Sequence, residues 1–258
     1  MSIPLPNKIE ISEDKKNPML GTAILEPCFP GYGITIGNAL RRVMLSSLEG
    51  AAVTGIKIKD VQHEFSTLPN VKEDALEILL NLKKIRFKMF SDEPVKLLLK
   101  VKGEKEVTAA DIAKSNEVEI VNTDSKIATL TSRNAELEME LTIEKGLGYV
   151  TVDQRDAARG EAKEIGNITI DSVFTPIVNV GMNVENVRVG QMTNYEKLIL
   201  NIETDGTITV KDAVEKSANI LLSHFGLLVE EKQGDTGKET KDMGDESEED
   251  GNKKEKSK

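Results

Sequence analysis

The sequence has no tryptophan, one cysteine, two histidines and few aromatic residues, with six Phe and three Tyr among 258 positions. The single thiol, Cys28, can close no internal disulfide, which fits a reducing compartment. The two histidines and the lone cysteine form no pair at zinc-ligand spacing. No apolar run exceeds four residues, so no helical membrane span is expected. Residues 1–20 are charged and broken by proline, without the apolar centre of a secretory signal. A basic excess is also missing: 44 acids stand against 34 bases, a net charge of −10. Bulk charge therefore does not draw in a phosphate backbone, and any nucleic acid must be met through a local patch or a partner.

What is present is a patterned body with a different ending. From Glu231 onward Met243 is the only hydrophobic residue, among ten acids and seven bases. Such a segment cannot bury enough surface to offset its ordering entropy, so 231–258 reads as a disordered acidic tail. Within the body, Ile36, Ala39, Leu40, Val43, Met44, Ser47 and Leu48 recur at three- and four-residue spacing, which predicts a helix over 36–48 stopped by Gly50. A second helix is expected over 71–82, with Ala75, Ile78, Leu79 and Leu82 inward. Short alternating runs predict many strands, the clearest over 135–144, where Leu137, Met139, Leu141 and Ile143 share one side. The charged, small-residue stretch 154–163 reads as a loop. Residues 198–210 read as a hairpin turning at Asp205-Gly206. A final amphipathic helix is expected over 212–229, with Val214, Ala218, Leu221, Phe225 and Leu228 as its stripe. The fold class is α+β with antiparallel sheet.

Candidate chemistry is thin. Gly31, Gly33 and Gly37 precede a helix, but Ile36 stands where a dinucleotide fingerprint needs glycine, and no P-loop Lys-Ser/Thr follows. A tight turn feeding a helix is the simpler reading. Glu136, Glu138 and Glu140 share a strand face and could hold a divalent ion, or form a solvated edge. His63-Glu64 could pass a proton, and His224 sits among Leu221, Leu222 and Phe225. No nucleophile–base constellation emerges. The alternatives are an assembly protein, a small-molecule enzyme using His63-Glu64 or the glutamate strand, and a DNA-binding regulator. Charge and the lack of a recognition motif disfavour the last. Two basic features remain: Arg41-Arg42, expected on the solvent side of the first helix, and Lys83, Lys84, Arg86 and Lys88 after the second.

The stretch GYGITIGNALRRVMLSSL over 31–48 closely resembles the signature of the bacterial RNA polymerase alpha subunit family. HEFST at 63–67, VKED at 71–74, EILLNLK at 77–83, VTAAD at 107–111, GYV at 148–150, NVE at 183–185 and LNIETDGTI at 200–208 resemble it too, in family order. The resemblance implies a discontinuous dimerisation domain over 1–50 and 172–230, and an inserted β-rich domain over 51–171. It implies a non-catalytic subunit without a cofactor, which homodimerises and scaffolds the β and β′ subunits, joined in the holoenzyme by omega and sigma.

By the same resemblance Asn38, Arg41, Arg42 and Leu45 would hold β, and Lys83 and Ile170 would serve β′. The dimer would form through Ile36, Leu40 and Val43 on the first helix and Leu221, Phe225 and Leu228 on the last, since both helices are apolar more broadly than one small sheet requires. Family members usually continue into a small helical domain that binds upstream DNA. Nothing after Val229 carries the apolar pattern of such a domain, so DNA is expected to be met only through the complex. A cytoplasmic location and no membrane contact follow from the same likeness.

Overall fold

The computed structural model describes residues 3–159 and 166–229. Along the chain lie β1 (Lys8–Glu13), β2 (Leu20–Cys28), α1 (Tyr32–Ser46), β3 (Glu49–Ile58), α2 (Ala75–Leu82), β4 (Phe87–Met89), β5 (Val95–Lys102), β6 (Lys105–Thr108), β7 (Val118–Ile120), β8 (Lys126–Leu130), β9 (Glu136–Leu147), β10 (Tyr149–Val150), α3 (Val152–Arg159), β11 (Ile168–Thr169), β12 (Ser172–Val173), β13 (Ile177–Val189), β14 (Met192–Thr204) and α4 (Val210–Gly226). The fold is α+β, with antiparallel pairing throughout.

The two ends of the body build one four-stranded sheet in the order β1-β2-β14-β13. Alternation puts Ala23, Val180, Leu198, Leu200 and Ile202 on its inner face, where α1 and α4 pack. Met44 and Leu48 from the α1 region, with Val210 and Ala213 of α4, complete this core. The helices also touch one another. Thr209 caps α4 by accepting a hydrogen bond from the Asp212 N–H.

The middle of the chain builds a second sheet, ordered β5-β9-β3-β4-β7, with β11 alongside β3. Leu97, Leu99, Leu137, Met139, Leu141 and Ile143 face a core closed by Ala75, Ile78, Leu79 and Leu82 of α2. A ladder of β6 and β8 adds Val107, Ile127 and Leu130. The two cores are separate clusters: Ile170 belongs to the second and Ile177 to the first.

Several expectations are corrected. The hairpin closes at Gly190, whose φ of 62° suits a primed turn, and joins β13 to β14. Asp205-Gly206 is a turn, but the Asp205 carboxylate accepts from the Thr207 N–H and hydroxyl and feeds the chain into α4 instead of a return strand. Residues 154–159 of the expected loop lie in α3, while 160–165 lie outside the described residues, as does the tail 231–258. Gly50 stops no helix: α1 ends at Ser46, and Gly50 already lies in β3, where an added Cβ would sit 1.8 Å from the Phe174 carbonyl oxygen. The second helix starts at Ala75, because Asp74 caps it through the Glu77 N–H. β1 and β2, not anticipated, supply half of the first sheet.

Candidate subunit-docking surfaces

α1 begins at Gly31, which adopts a left-handed φ of 86°. Its first amides are not left to solvent. Glu196 on β14 accepts from the Gly31 N–H (2.8 Å) and the Gly33 N–H (2.9 Å), so a carboxylate sits where the helix dipole favours negative charge. Gly33 and Gly37 are inside the helix, not in a turn before it. A Cβ on Gly37 would stand 2.6 Å from Met182 Sδ and 2.7 Å from Leu198 Cδ1. The glycines let the helix lie directly on β13 and β14.

Seating α1 on Gly33, Gly37 and Met44 decides what its other side shows. At about 100° per residue, Asn38, Arg42 and Leu45 fall on one stripe away from the sheet, and all three are exposed. Ile34, also exposed, lies on the same stripe and escaped sequence reasoning. Among the described residues nothing pairs with the Arg42 guanidinium. Arg41 is exposed too. Its Nε donates to the Val180 carbonyl (2.9 Å), so it ties α1 to β13 in addition to bordering the stripe. Ile36 and Leu40 are half-buried against the chain's own core, and Val43 is half-buried beside them.

On α4 the face turned to the sheet is Val210, Ala213 and Ser217, with Val214, Ala218 and Leu221 half-covered. The end of the expected stripe is left largely open: Phe225 is 55% exposed and Leu228, beyond the last helical turn, 79%. Leu222 and Leu227 stand open beside them.

Lys83 closes α2 and is half-buried. Ile170 is corrected: at 5% exposure it sits in the second core, because its neighbours β11 and β12 fold against β3 and β10. Its successor is half-buried. Asp171 accepts from the Val152 N–H (2.9 Å) and the Tyr149 hydroxyl (3.1 Å). Its carboxyl lies below the ordinary carboxylate range, held there first by the Val152 N–H, then by Tyr149, Lys83 and Arg155, against the effect of burial. Lys83 thus lies within electrostatic range of the Asp171 carboxylate.

A family profile for the RNA polymerase Rpb3/RpoA insert domain matches residues 56–175. The DNA-directed RNA polymerase subunit alpha of Prosthecochloris aestuarii is 46% identical over 224 residues, 86% of this chain and 67% of the relative. The subunit of the same name from Roseiflexus sp. (strain RS-1) is 47% identical, covering 87% of this chain and 67% of the relative. That of Clostridium botulinum (strain Eklund 17B / Type B) is 46% identical over 88% of this chain and 70% of its own length. The chain belongs to the bacterial RNA polymerase alpha subunit family. It spans about two thirds of the length of these curated relatives.

In this alpha-family chain the other candidate chemistry resolves into structure. The glycine-rich helix start is occupied by Glu196, so a phosphate there would meet a carboxylate. Glu136, Glu138 and Glu140 face lysines across the sheet: Lys102–Glu136 at 3.1 Å, Lys100–Glu138 at 3.0 Å and Lys96–Glu140 at 2.8 Å. Among the described residues no cluster of three or more His, Cys, Asp or Glu side chains has the geometry to hold a metal ion. His63 is exposed and its Nδ1 lies 3.2 Å from Ser66 Oγ, not against Glu64. His224 is exposed in the last turn of α4. The basic run after α2 is dispersed: Lys84 bonds Asn81 (3.2 Å), Arg86 approaches Asp205 (3.8 Å), and Lys88 lies over the Phe90 ring. No described helix is long and apolar enough to cross a membrane.

Proposed function

We propose that two copies of this chain pair through α1 and the end of α4, and that the dimer is the platform on which the β and β′ subunits of a bacterial RNA polymerase assemble in the cytoplasm. Nucleotidyl transfer and its cofactors belong to the large subunits, with omega and sigma completing the holoenzyme and DNA engaged only through the complex. The chain divides into a dimerisation domain of 1–50 with 172–230 and an inserted domain of 51–171. The two separate hydrophobic clusters support that division.

The observation that carries the proposal is the division of labour around α1. One face, built on glycine, is pressed to the sheet, while Asn38, Arg42 and Leu45 are held outward on the helix, with a guanidinium unpaired among the described residues at their centre. Arginine and aliphatic side chains presented this way suit a desolvated protein contact. Phe225 and Leu228 offer apolar area that a second copy would cover, since a two-fold axis brings like surfaces together.

Affinity purification from the native cell, with the masses of co-purifying chains read out, tests this directly. Two very large partners in a fixed ratio to two copies of this chain are expected. A monomer by light scattering at micromolar concentration, or recovery without large partners, refutes it.

A further inference from the structure

β3 is not a regular strand. Its register against β9 slips between Val53 and Gly55, which leaves Thr54 as an extra, bulged residue. The freed Thr54 carbonyl accepts from the Ile170 N–H (3.0 Å) and from Arg155 Nη1 (2.8 Å). The same Nη1 donates to the Ile170 carbonyl (3.0 Å), and Nη2 donates to Ser172 Oγ (2.9 Å). Ser172 Oγ donates in turn to the Val53 carbonyl (2.7 Å). Arg155 is only 7% exposed, and Ser172 is buried too. A buried guanidinium is tolerated where its fork is filled, and here it spans two backbone segments and one hydroxyl.

This clamp holds residues 170 and 172 inward, and the residue between them points the other way. Asp171 takes the first amide of α3 and the exposed Tyr149 hydroxyl, and it lies within electrostatic reach of Lys83. The backbone of this edge is thus tied to β3 in part through one buried side chain. α3 is polar and small-residue rich apart from Val152, and Arg155 is its buried member.

We propose that Arg155 is a positioning residue for capture of the β′ subunit: by filling the β3 bulge it sets the Lys83–Asp171–Tyr149 edge in the geometry that the partner reads. This rests on the reading of Lys83 given above. A lysine retains the charge but cannot bridge the two carbonyls and the hydroxyl together. Arg155→Lys should leave the dimer and β capture unchanged and weaken β′ capture by about tenfold, the scale of losing one charge-assisted buried hydrogen bond.

The test is a double-mutant cycle on the full chain, with β and β′ from the same cell, reading dimerisation, β capture and β′ capture separately. Lys83→Ala alone should weaken β′ capture. Added to Arg155→Lys, it should weaken capture little further, because both changes act on one edge. Ser172→Ala, which leaves the charge in place, serves as the second entry to the cycle should Arg155→Lys fold poorly, with a smaller loss expected. If Lys83→Ala weakens capture and the Arg155 or Ser172 change does not, or if the effects simply add, the positioning role is overturned. If Lys83→Ala has no effect, the underlying reading of the β′ edge is what fails, and this inference falls with it. Loss of dimer, β and β′ capture together would show a merely structural role and also overturn it.

Discussion

Replacing Glu73 by alanine should destabilise the second sheet's core by about 2–4 kcal/mol. Glu73 is 4% exposed and immediately precedes Asp74, the cap of α2. Its carboxylate accepts from the Thr129 N–H (2.6 Å), the Thr129 hydroxyl (2.9 Å) and Lys126 Nζ (3.0 Å), pinning the start of α2 to β8. The amide bond dominates the ledger. A hydrogen bond to a charged group contributes about 1.5–3 kcal/mol, and a buried amide left without a partner loses that and its desolvation. The hydroxyl can rotate toward other acceptors and adds less. Lys126 is 42% exposed, so solvent screening leaves the ion pair the smallest contributor. Glu73→Gln keeps one acceptor and should lose about half as much.

The penalty should also depend on pH. Burial pushes the Glu73 carboxyl up, but the Lys126 ammonium and the Thr129 N–H and hydroxyl outweigh it, leaving the group below its ordinary value. A carboxyl depressed in the folded state stabilises above its unfolded pKa of about 4.3, and that contribution is lost as pH falls through the folded value. Denaturant unfolding of wild type and Glu73→Ala should therefore show the full gap at pH 7 and a narrowing gap below about pH 4. A gap under about 0.5 kcal/mol at pH 7, within the range of ordinary surface substitutions, would refute the reasoning. So would a full gap that ignores pH.

Arg42→Ala should leave the dimer intact and weaken β capture by about two decades, as expected when a charged interfacial group loses its partner; unchanged pull-down from a folded mutant removes Arg42 from the site. Phe225→Glu with Leu228→Glu should shift the dimer toward monomer in light scattering at micromolar concentration, since carboxylates would be driven into an apolar contact; an unaltered mass would place the interface elsewhere. Glu196→Ala should lower stability by about 1–3 kcal/mol by orphaning two amides at the start of α1, and a melting temperature equal to wild type would show that water replaces it. Gly37→Val should be destabilising enough to reduce soluble yield, because its Cβ alone already meets Met182 Sδ and Leu198 Cδ1; normal folding would mean that β13 yields.

The helices that carry the proposed docking residues were legible because their spacing is set by burial: Met44 and Leu48 point where the periodicity places them. β9 was legible because Leu137, Met139, Leu141 and Ile143 alternate with glutamates that must face water or lysine. β1 and β2 were not, because charge dominates the first, and Gly, Thr and Pro in the second mask a strand that pairs with β14, about 180 residues away. α3 was missed because its anchor is a charged residue. Arg155 is buried against hydrogen-bond acceptors, those of Thr54, Ile170 and Ser172 among them, a form of burial that hydrophobic patterning cannot register. Asp205-Gly206 gave a true turn but a false hairpin, since only the Thr209 cap distinguishes a helix start from a returning strand. The inward side chain of Ile170 follows from the short pairings of β11 and β12, which are too brief to leave a period.

The order of the strands in the first sheet has a consequence for synthesis. β1, β2 and α1 leave the ribosome first, yet the surfaces they bury against belong to β13, β14 and α4. At roughly 5–20 residues per second, the wait between the end of α1 and the end of α4 is about ten to forty seconds. The second sheet draws its core only from the intervening stretch and is free to close during that interval. The nascent chain thus carries an unsatisfied apolar helix and an open strand edge on β2 beside an already finished neighbour. The apolar end of α4, proposed above as the pairing surface, is the last described part to emerge. Two chains cannot meet through it prematurely, and the same schedule leaves β2 and α1 as the stretch most in need of shielding while translation is under way.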